Sequence, residues 1–283
     1  MKFGFVVPFA NAREFTEVAV LGEQHGWDAV FTWEPVWGVD AWVTLGAAAM
    51  VTERIRLGTL LTPVPRWKPW DLASRVATVD RLSGGRVILS CGLGAVHEGW
   101  TAFERDEGRR IRVQKLDEGL AVFAGLLAGQ PFEYHGKHYD VTPTDHLPPE
   151  PPVQLPHPPV WVVGAYVRGQ SDQPSLDRAA RWEGLLPQVL SGEDKRKSDT
   201  IEVFGEVVAL LRTRRSAMGL AEQPFDFVIE ADSTGEFVQL SPPDPTAWAE
   251  AGATWWVESW WSLQPGREGL AEVKRRVSAG PPA

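Results

Sequence analysis

Acidic side chains at the ends of apolar runs are the residues of this sequence best placed to do chemistry. Glu34 follows "WDAVFTW", Glu230 and Asp232 close "FDFVIEAD", Glu258 sits in "TWWVES", and His97 with Glu98 follows "SCGLGAV". A carboxylate taken from water into an aromatic setting keeps its proton to higher pH and can give or take one near neutrality. Glu34, His97 and Glu258 are the candidate proton carriers. Glu258 leads by position, near the end of a strongly apolar run. An internal ion pair to an arginine accounts for Glu258 equally well.

Tryptophan crowds the same places. Trp33, Trp37, Trp67, Trp70, Trp100, Trp260 and Trp261 follow apolar runs, seven of the fourteen in the chain. If those segments gather at one end of the fold, Trp33, Trp37, Trp67, Trp100 and Trp260 wall a pocket for a planar, apolar ligand. The alternative is that they cover seams between helices and strands. Other motifs are weak or absent. "GLGAVHEG" (92–99) places its last glycine too late for a dinucleotide fingerprint, and there is no phosphate loop and no GxSxG elbow. His135 and His138 are spaced like a metal pair, but with no thiolate or carboxylate expected to complete a site they read as hairpin histidines, and no metal is expected. Cys91, in "RVILSC", reads as an inert core thiol.

The elements that must position these residues show in the periodicity. Short apolar runs at 2–7, 27–32, 55–62, 86–91, 160–164, 184–187, 225–231 and 254–259 alternate with helical patterns. Leu116, Leu120, Phe123 and Leu127 form one apolar stripe, and so do Leu72, Val76, Val79 and Leu82, opened by Pro69 and closed by Gly84-Gly85. The last helix is expected over 269–278. Eight strand–helix units with nearly continuous apolar strands predict an α/β fold, a closed (β/α)8 barrel in a single domain spanning 1–283. An open doubly wound sheet is the alternative. Residues 129–160 interrupt the rhythm. Phe132–Val141 alternates like a hairpin, and eight prolines between Pro143 and Pro159 keep the rest extended, an ordered excursion before the fifth strand.

Composition sets the class. The chain has 283 residues, 43% hydrophobic and 23% charged, as in ordinary globular proteins. A net charge of -9 argues against a nucleic-acid partner, and no apolar run reaches the roughly 18 residues a membrane span needs. "MKFGFVVPFA" is too short for a signal peptide and reads as a first strand, and a single cysteine fits a reducing, cytoplasmic setting.

The block "RIRLGTLLTPVPRWKPWDLASRVATVDRLSGGRVILSCGLG" (54–94) resembles the bacterial-luciferase-like class of flavin- and deazaflavin-dependent oxidoreductases. "KFGFVVPF", "HGWDAVFTWE", "PPVWVVG…RAARWEGLLP" and "EAGATWWVE" fit the same class, so the resemblance spans nearly the whole chain. It implies the (β/α)8 barrel and either flavin mononucleotide (FMN) or coenzyme F420 bound at the C-terminal ends of the strands. It also implies a non-proline cis peptide at Leu60–Leu61, which presses backbone against the cofactor ring. The prolines after it would stiffen the loop, which is why a strand should run straight into "PVPRWKPW". By the same resemblance Thr59, Leu60, Leu61, Thr62, Gly92 and Gly94 flank the ring, and Gly164, Ala165, Arg168 and Ser175 hold the cofactor phosphate. Alternatively Ser175 only caps a helix over 176–182.

The chain departs from the class where a histidine often follows the acidic residue of the second loop. Here Pro35 follows Glu34, and Ala95 stands where some deazaflavin enzymes place an acid. The implied function is oxidoreduction of an apolar small organic substrate, by monooxygenation with reduced flavin or by hydride transfer with F420. The rivals are a barrel hydrolase or isomerase using paired carboxylates and a non-catalytic relative that has lost the cofactor. The small, apolar helix "AWVTLGAAAM" (41–50) lies where relatives dimerise and predicts a homodimer.

Overall fold

The apolar runs become parallel strands, and the stripes between them become helices that bury one face. In chain order the elements are β1 (Lys2–Val6), α1 (Ala12–Gln24), β2 (Ala29–Thr32), α2 (Ala41–Ala49), β3 (Arg56–Pro63), α3 (Pro69–Ser83), β4 (Val87–Gly92) and α4 (Arg109–Ala128). There follow β5 (Tyr134–His135), β6 (Asp140–Val141), β7 (Val160–Val167), α5 (Pro174–Ala179), β8 (Gly184–Leu190), α6 (Ile201–Ala217), β9 (Asp226–Ala231), α7 (Pro245–Glu250), β10 (Trp255–Ser259) and α8 (Arg267–Ser278). This computed structural model describes residues 1–96, 99–143, 150–190, 201–234 and 244–282. Eight parallel strands close in the order β1-β10-β9-β8-β7-β4-β3-β2, and β5 and β6 form a separate antiparallel pair. The expected (β/α)8 barrel is the fold observed. By its contacts the chain divides into two compact units, one of residues 1–10, 21–31 and 160–283, the other of residues 11–20 and 32–159.

In the first unit the pleat sorts aromatic rings onto two faces. Trp161 of β7 meets Trp255 of β10 edge-on, with ring centroids 5.2 Å apart, and lies 5.6 Å from Phe31. A Cβ at Gly184 would overlap the Trp161 ring, so glycine there makes room for the indole. On the opposite face of the sheet Phe5 packs against Trp27 and Trp260 at 5.0 and 6.1 Å.

In the second unit α3 and α4 cover β3 and β4. Leu116, Leu120, Phe123 and Leu127 are buried as their spacing predicts, and so are Leu72, Val76 and Val79. Leu82, expected in the same stripe, is 47% exposed, because the helix has turned it toward Gly46 of α2. Arg86 ties the corner where α2, β3 and α3 approach. Its guanidinium donates to the carbonyls of Ala49, Thr52, Ile55 and Ser83 and to Thr52 Oγ1. The proline-rich excursion is pinned to the same unit. Gln154 donates through its N–H and amide to Asp80 at 2.9 and 2.7 Å, and Leu89 N–H reaches the Pro159 carbonyl at 2.9 Å.

Candidate functional site

Glu34 stands just beyond β2, where Pro35 stops the strand. Asp40 caps α2, its carboxylate accepting from the Val43 N–H at 2.9 Å, and that places Trp42 in the first turn. The Trp42 indole donates to Glu34 Oε1 at 2.7 Å. From β3 the Thr62 hydroxyl donates to the same oxygen at 2.6 Å, and the Trp67 indole donates to Oε2 at 2.8 Å. Arg66 holds the loop by donating to the Val36 carbonyl at 3.1 Å. Burial pushes the Glu34 carboxyl above the usual carboxylate range, while the bonds from Thr62, Trp67 and Trp42 and the charge of Arg66 pull against it. A chain of hydroxyls leads inward. Thr62 Oγ1 is 2.8 Å from Thr59 Oγ1, which lies 3.2 Å from the Ser90 carbonyl, and both threonines are fully buried.

β3 is irregular beside this cluster. Its ladder with β4 pairs Thr59 with Leu89 and next Thr62 with Cys91, so β3 carries one residue more than its partner. Leu60 and Leu61 fill the bulge, and the peptide between them is cis, as the resemblance implies. Gly92, the end of β4, pairs with Pro63. Gly94 has φ +79°, and a Cβ there would come within 2.8 Å of both Pro63 and Trp100. His97 and Glu98 lie outside the described residues.

Glu258 has a different setting from the one its position suggests. The pleat puts it on one face of β10 with Trp256 and Trp260, opposite to Trp255 and Val257. Both indoles donate to its carboxylate, at 2.8 and 3.1 Å, and the Ser233 N–H adds a third bond at 3.0 Å. The side chain is fully buried, and burial raises its pKa against those bonds. The expected arginine partner is not among its hydrogen bonds. Glu230 occupies the other face. It pairs in register with Val257, and its Oε1 accepts from the Trp261 indole at 2.6 Å. Ser259, also on that face and fully buried, has a hydroxyl without a partner among the described residues, which a ligand's polar group could satisfy.

The expected indole wall is dispersed. Trp67 is half-buried at Glu34, Trp33 is 37% exposed and Trp37 85% exposed. Trp100 is 5% exposed with Arg66 and Arg112 over its ring at 5.8 and 5.7 Å. Trp260, expected to line the pocket, instead packs against Phe5, Trp27 and Arg276 on the far face of β10. The phosphate-side residues are likewise engaged within the fold. Gly164 is tight against Leu185 and Leu176, where a Cβ would come to 2.6 and 2.7 Å. Ser175 does not cap a helix over 176–182. It lies inside α5, whose cap is Gln173, and its hydroxyl bonds both the N–H and the carbonyl of Ala165. Arg168 is paired with Glu202 and Glu206. In the hairpin His135 lies between Glu133 and Asp140, partners that the sequence spacing did not suggest. Among the described residues no group of three or more metal-ligating side chains converges.

Sequence reasoning missed Trp42, Ser259, Gln173, Glu202 and Glu206. Alternation along "TWWVESWW" was the available signal for separating Glu258 from Ser259. Nothing in the sequence pairs Arg168 with residues more than thirty positions on.

The geometry agrees with the comparisons to known proteins. A family model described as luciferase-like monooxygenase matches residues 1–181. The F420-dependent glucose-6-phosphate dehydrogenase of Microbacterium testaceum is 30% identical over 232 residues, 73% of this chain and 67% of that protein. The protein of that name from Segniliparus rotundus is 30% identical over 206 residues, 65% of this chain and 60% of that one. The match thus spans 60% and 67% of those two relatives' length. Among solved structures, monooxygenase RslO1 of Streptomyces bottropensis shares the fold with a TM-score of 0.71 at 20% identity, covering 99% of this chain and 98% of its own.

Proposed function

This chain belongs to the luciferase-like monooxygenase family, and from that premise we propose that it is an oxidoreductase that binds FMN or the 5-deazaflavin F420 beside the β3 bulge. The bulge at Leu60–Leu61, set next to Glu34, Thr62 and Trp67, is the observation that carries the reading. Two leucines leave the ladder there, so the bulged backbone and half-buried Leu61 would offer a face to a flat heterocycle. When bound, the cofactor supplies hydride transfer or, as a reduced flavin, oxygen activation.

The chain's own residues do the rest. Burial favours a proton on the Glu34 carboxyl, Thr62 and the two indoles fix that carboxyl in place, and Trp67 limits the water that reaches it. Glu258, enclosed by indoles, holds the β9 end through Ser233 rather than meeting substrate. The substrate is a small organic molecule, and the dispersed indoles do not define its polarity. The names of the two relatives favour F420 over FMN. The chain works in the cytoplasm, for which its single, buried cysteine is suited. Among the described residues no helix is long and apolar enough to cross a membrane.

Titration with FMN and with F420, oxidised and reduced, tests the reading through tryptophan fluorescence. Trp67 and Trp42 sit at the cluster, so binding quenches emission, with a Kd expected at about micromolar. No quenching by any of the four forms up to about a hundred micromolar would sink the redox reading and leave a non-catalytic relative as the better account.

A further inference from the structure

Several polar groups of the turn from β7 into α5 bond one another, and Arg214 adds a bond to the Gln173 carbonyl at 3.1 Å. Ser175 Oγ accepts from the Ala165 N–H at 2.9 Å and donates to the Ala165 carbonyl at 3.0 Å. Gln173, only 2% exposed, accepts from the Val167 N–H at 3.2 Å and donates to the carbonyls of Val167 and Gln170 at 2.6 and 3.0 Å. Pro174 has no N–H, and the N–H groups of Leu176 and Asp177 both go to the Gln173 carbonyl. Arg168 Nη2 lies 2.7 Å from Glu202 Oε1 and 2.5 Å from Glu206 Oε1, and the Tyr166 hydroxyl donates to Glu206 Oε2 at 3.0 Å. One guanidinium between two carboxylates leaves the cluster negative.

These residues do not fit a phosphate. A dianion brought to the turn finds the Ser175 hydroxyl and the Ala165 N–H already joined. To gain Arg168 it must sit beside Glu202 and Glu206. The Arg168 pairs are half-exposed and individually weak, so the side chain can turn, but both carboxylates stay on α6 next to it whichever way it points. Like charges at hydrogen-bond range oppose binding even when screened.

Resting on the cofactor reading above, we infer that Glu202 and Glu206 are specificity-determining residues that withhold Arg168 from a phosphate. The chain then grips its flavin or deazaflavin by the ring and gains little from the phosphate of the tail. A family member need not keep every contact of its relatives, and here Arg168 and Ser175 are both engaged within the fold.

The experiment compares each cofactor with its phosphate-free form on the full chain: FMN with riboflavin, which differ in the phosphate alone, and F420 with its deazariboflavin core, which lacks the phosphodiester and the tail beyond it. Each pair is expected to bind within about threefold of the other. The double variant Glu202→Gln/Glu206→Gln frees Arg168, so the phosphate-bearing form tightens by about tenfold while the phosphate-free form is unchanged. Adding Arg168→Ala to that variant cancels the gain. These glutamates lie on the surface of α6, and an unchanged melting temperature confirms that the fold is kept. A wild-type preference of about thirtyfold or more for the phosphate form, or no gain in the double variant, overturns the inference while leaving the cofactor reading intact. Failure of all four compounds to bind overturns both.

Discussion

At the residue scale half-buried Glu34 and buried Glu258 differ in what surrounds them. Glu34 is met by two indoles and a threonine hydroxyl beside an irregular strand, Glu258 by two indoles and a backbone N–H inside a regular one. If Glu34 delivers a proton, Glu34→Gln lowers turnover by roughly a hundredfold or more and shifts cofactor Kd by less than about threefold. Steady-state kinetics beside the fluorescence titration separate the two effects, and an unchanged kcat would remove Glu34 from the chemistry. Glu258 makes a prediction about stability. Its folded pKa is raised by burial, so its contribution is fully present below the ordinary glutamate pKa and fades as pH rises through the folded value. Each unit of the shift corresponds to about 1.4 kcal/mol. Relative to wild type, Glu258→Gln should therefore show its largest deficit near pH 4, shrinking toward pH 8 in urea denaturation. A deficit that grows with pH would contradict the assignment. Glu34 was readable from sequence as an acid at a strand end, and Trp67 as one indole of a pocket wall, but not their bond. Trp42 was not, because its indole arrives from a helix whose cap, Asp40, looks like any other loop aspartate.

At the scale of elements, strands and helices were legible because apolar runs and stripes are period signals that burial enforces. The strand set agrees within a few residues, and the β7 and β8 strands only run further than their apolar cores suggest. What escaped was face. Glu258 is near a strand end, but period two puts it with Trp256 and Trp260, and Glu230 shares the other side. Leu82 was lost similarly, at the end of a stripe where the helix had rotated out of contact. Charged tethers between elements are a second feature that pattern cannot show. Arg86 is only one basic residue in a glycine-flanked corner, yet its guanidinium satisfies four carbonyls, one each from α2 and α3 and two from the loop that leads into β3. Arg86→Met strands those carbonyls in a buried corner and should cost roughly 3–5 kcal/mol, read as a fall in melting temperature and in the urea midpoint. A loss below about 1 kcal/mol would mean that water replaces the guanidinium there.

At the scale of the whole molecule the question is what this surface meets. On α2, Val43 and Met50 are each 68% exposed, Ala47 lies between them at helical spacing, Val51 follows at 53%, and Leu82 of α3 lies alongside Gly46. A contiguous apolar face of this kind marks an association site more often than a scatter of single leucines does. We propose that a second copy of the chain covers it, the homodimer that the helix over 41–50 suggested from its composition. The small residues of that face let two helices approach closely. The net charge of -9 works the other way, because like-charged copies repel. An apolar contact held against charge repulsion tightens as salt screens the repulsion, whereas a contact built of ion pairs loosens. Sedimentation equilibrium should therefore show a dimer at about micromolar concentration that strengthens between about 50 and 500 mM salt, roughly a third and three times physiological ionic strength. Val43→Lys/Met50→Lys should return it to monomer without a change in melting temperature beyond about two degrees, since both side chains face solvent in the single chain. A wild-type monomer at those concentrations would leave the face without a partner of its own kind. A dimer that survives both substitutions would move the interface elsewhere on the surface.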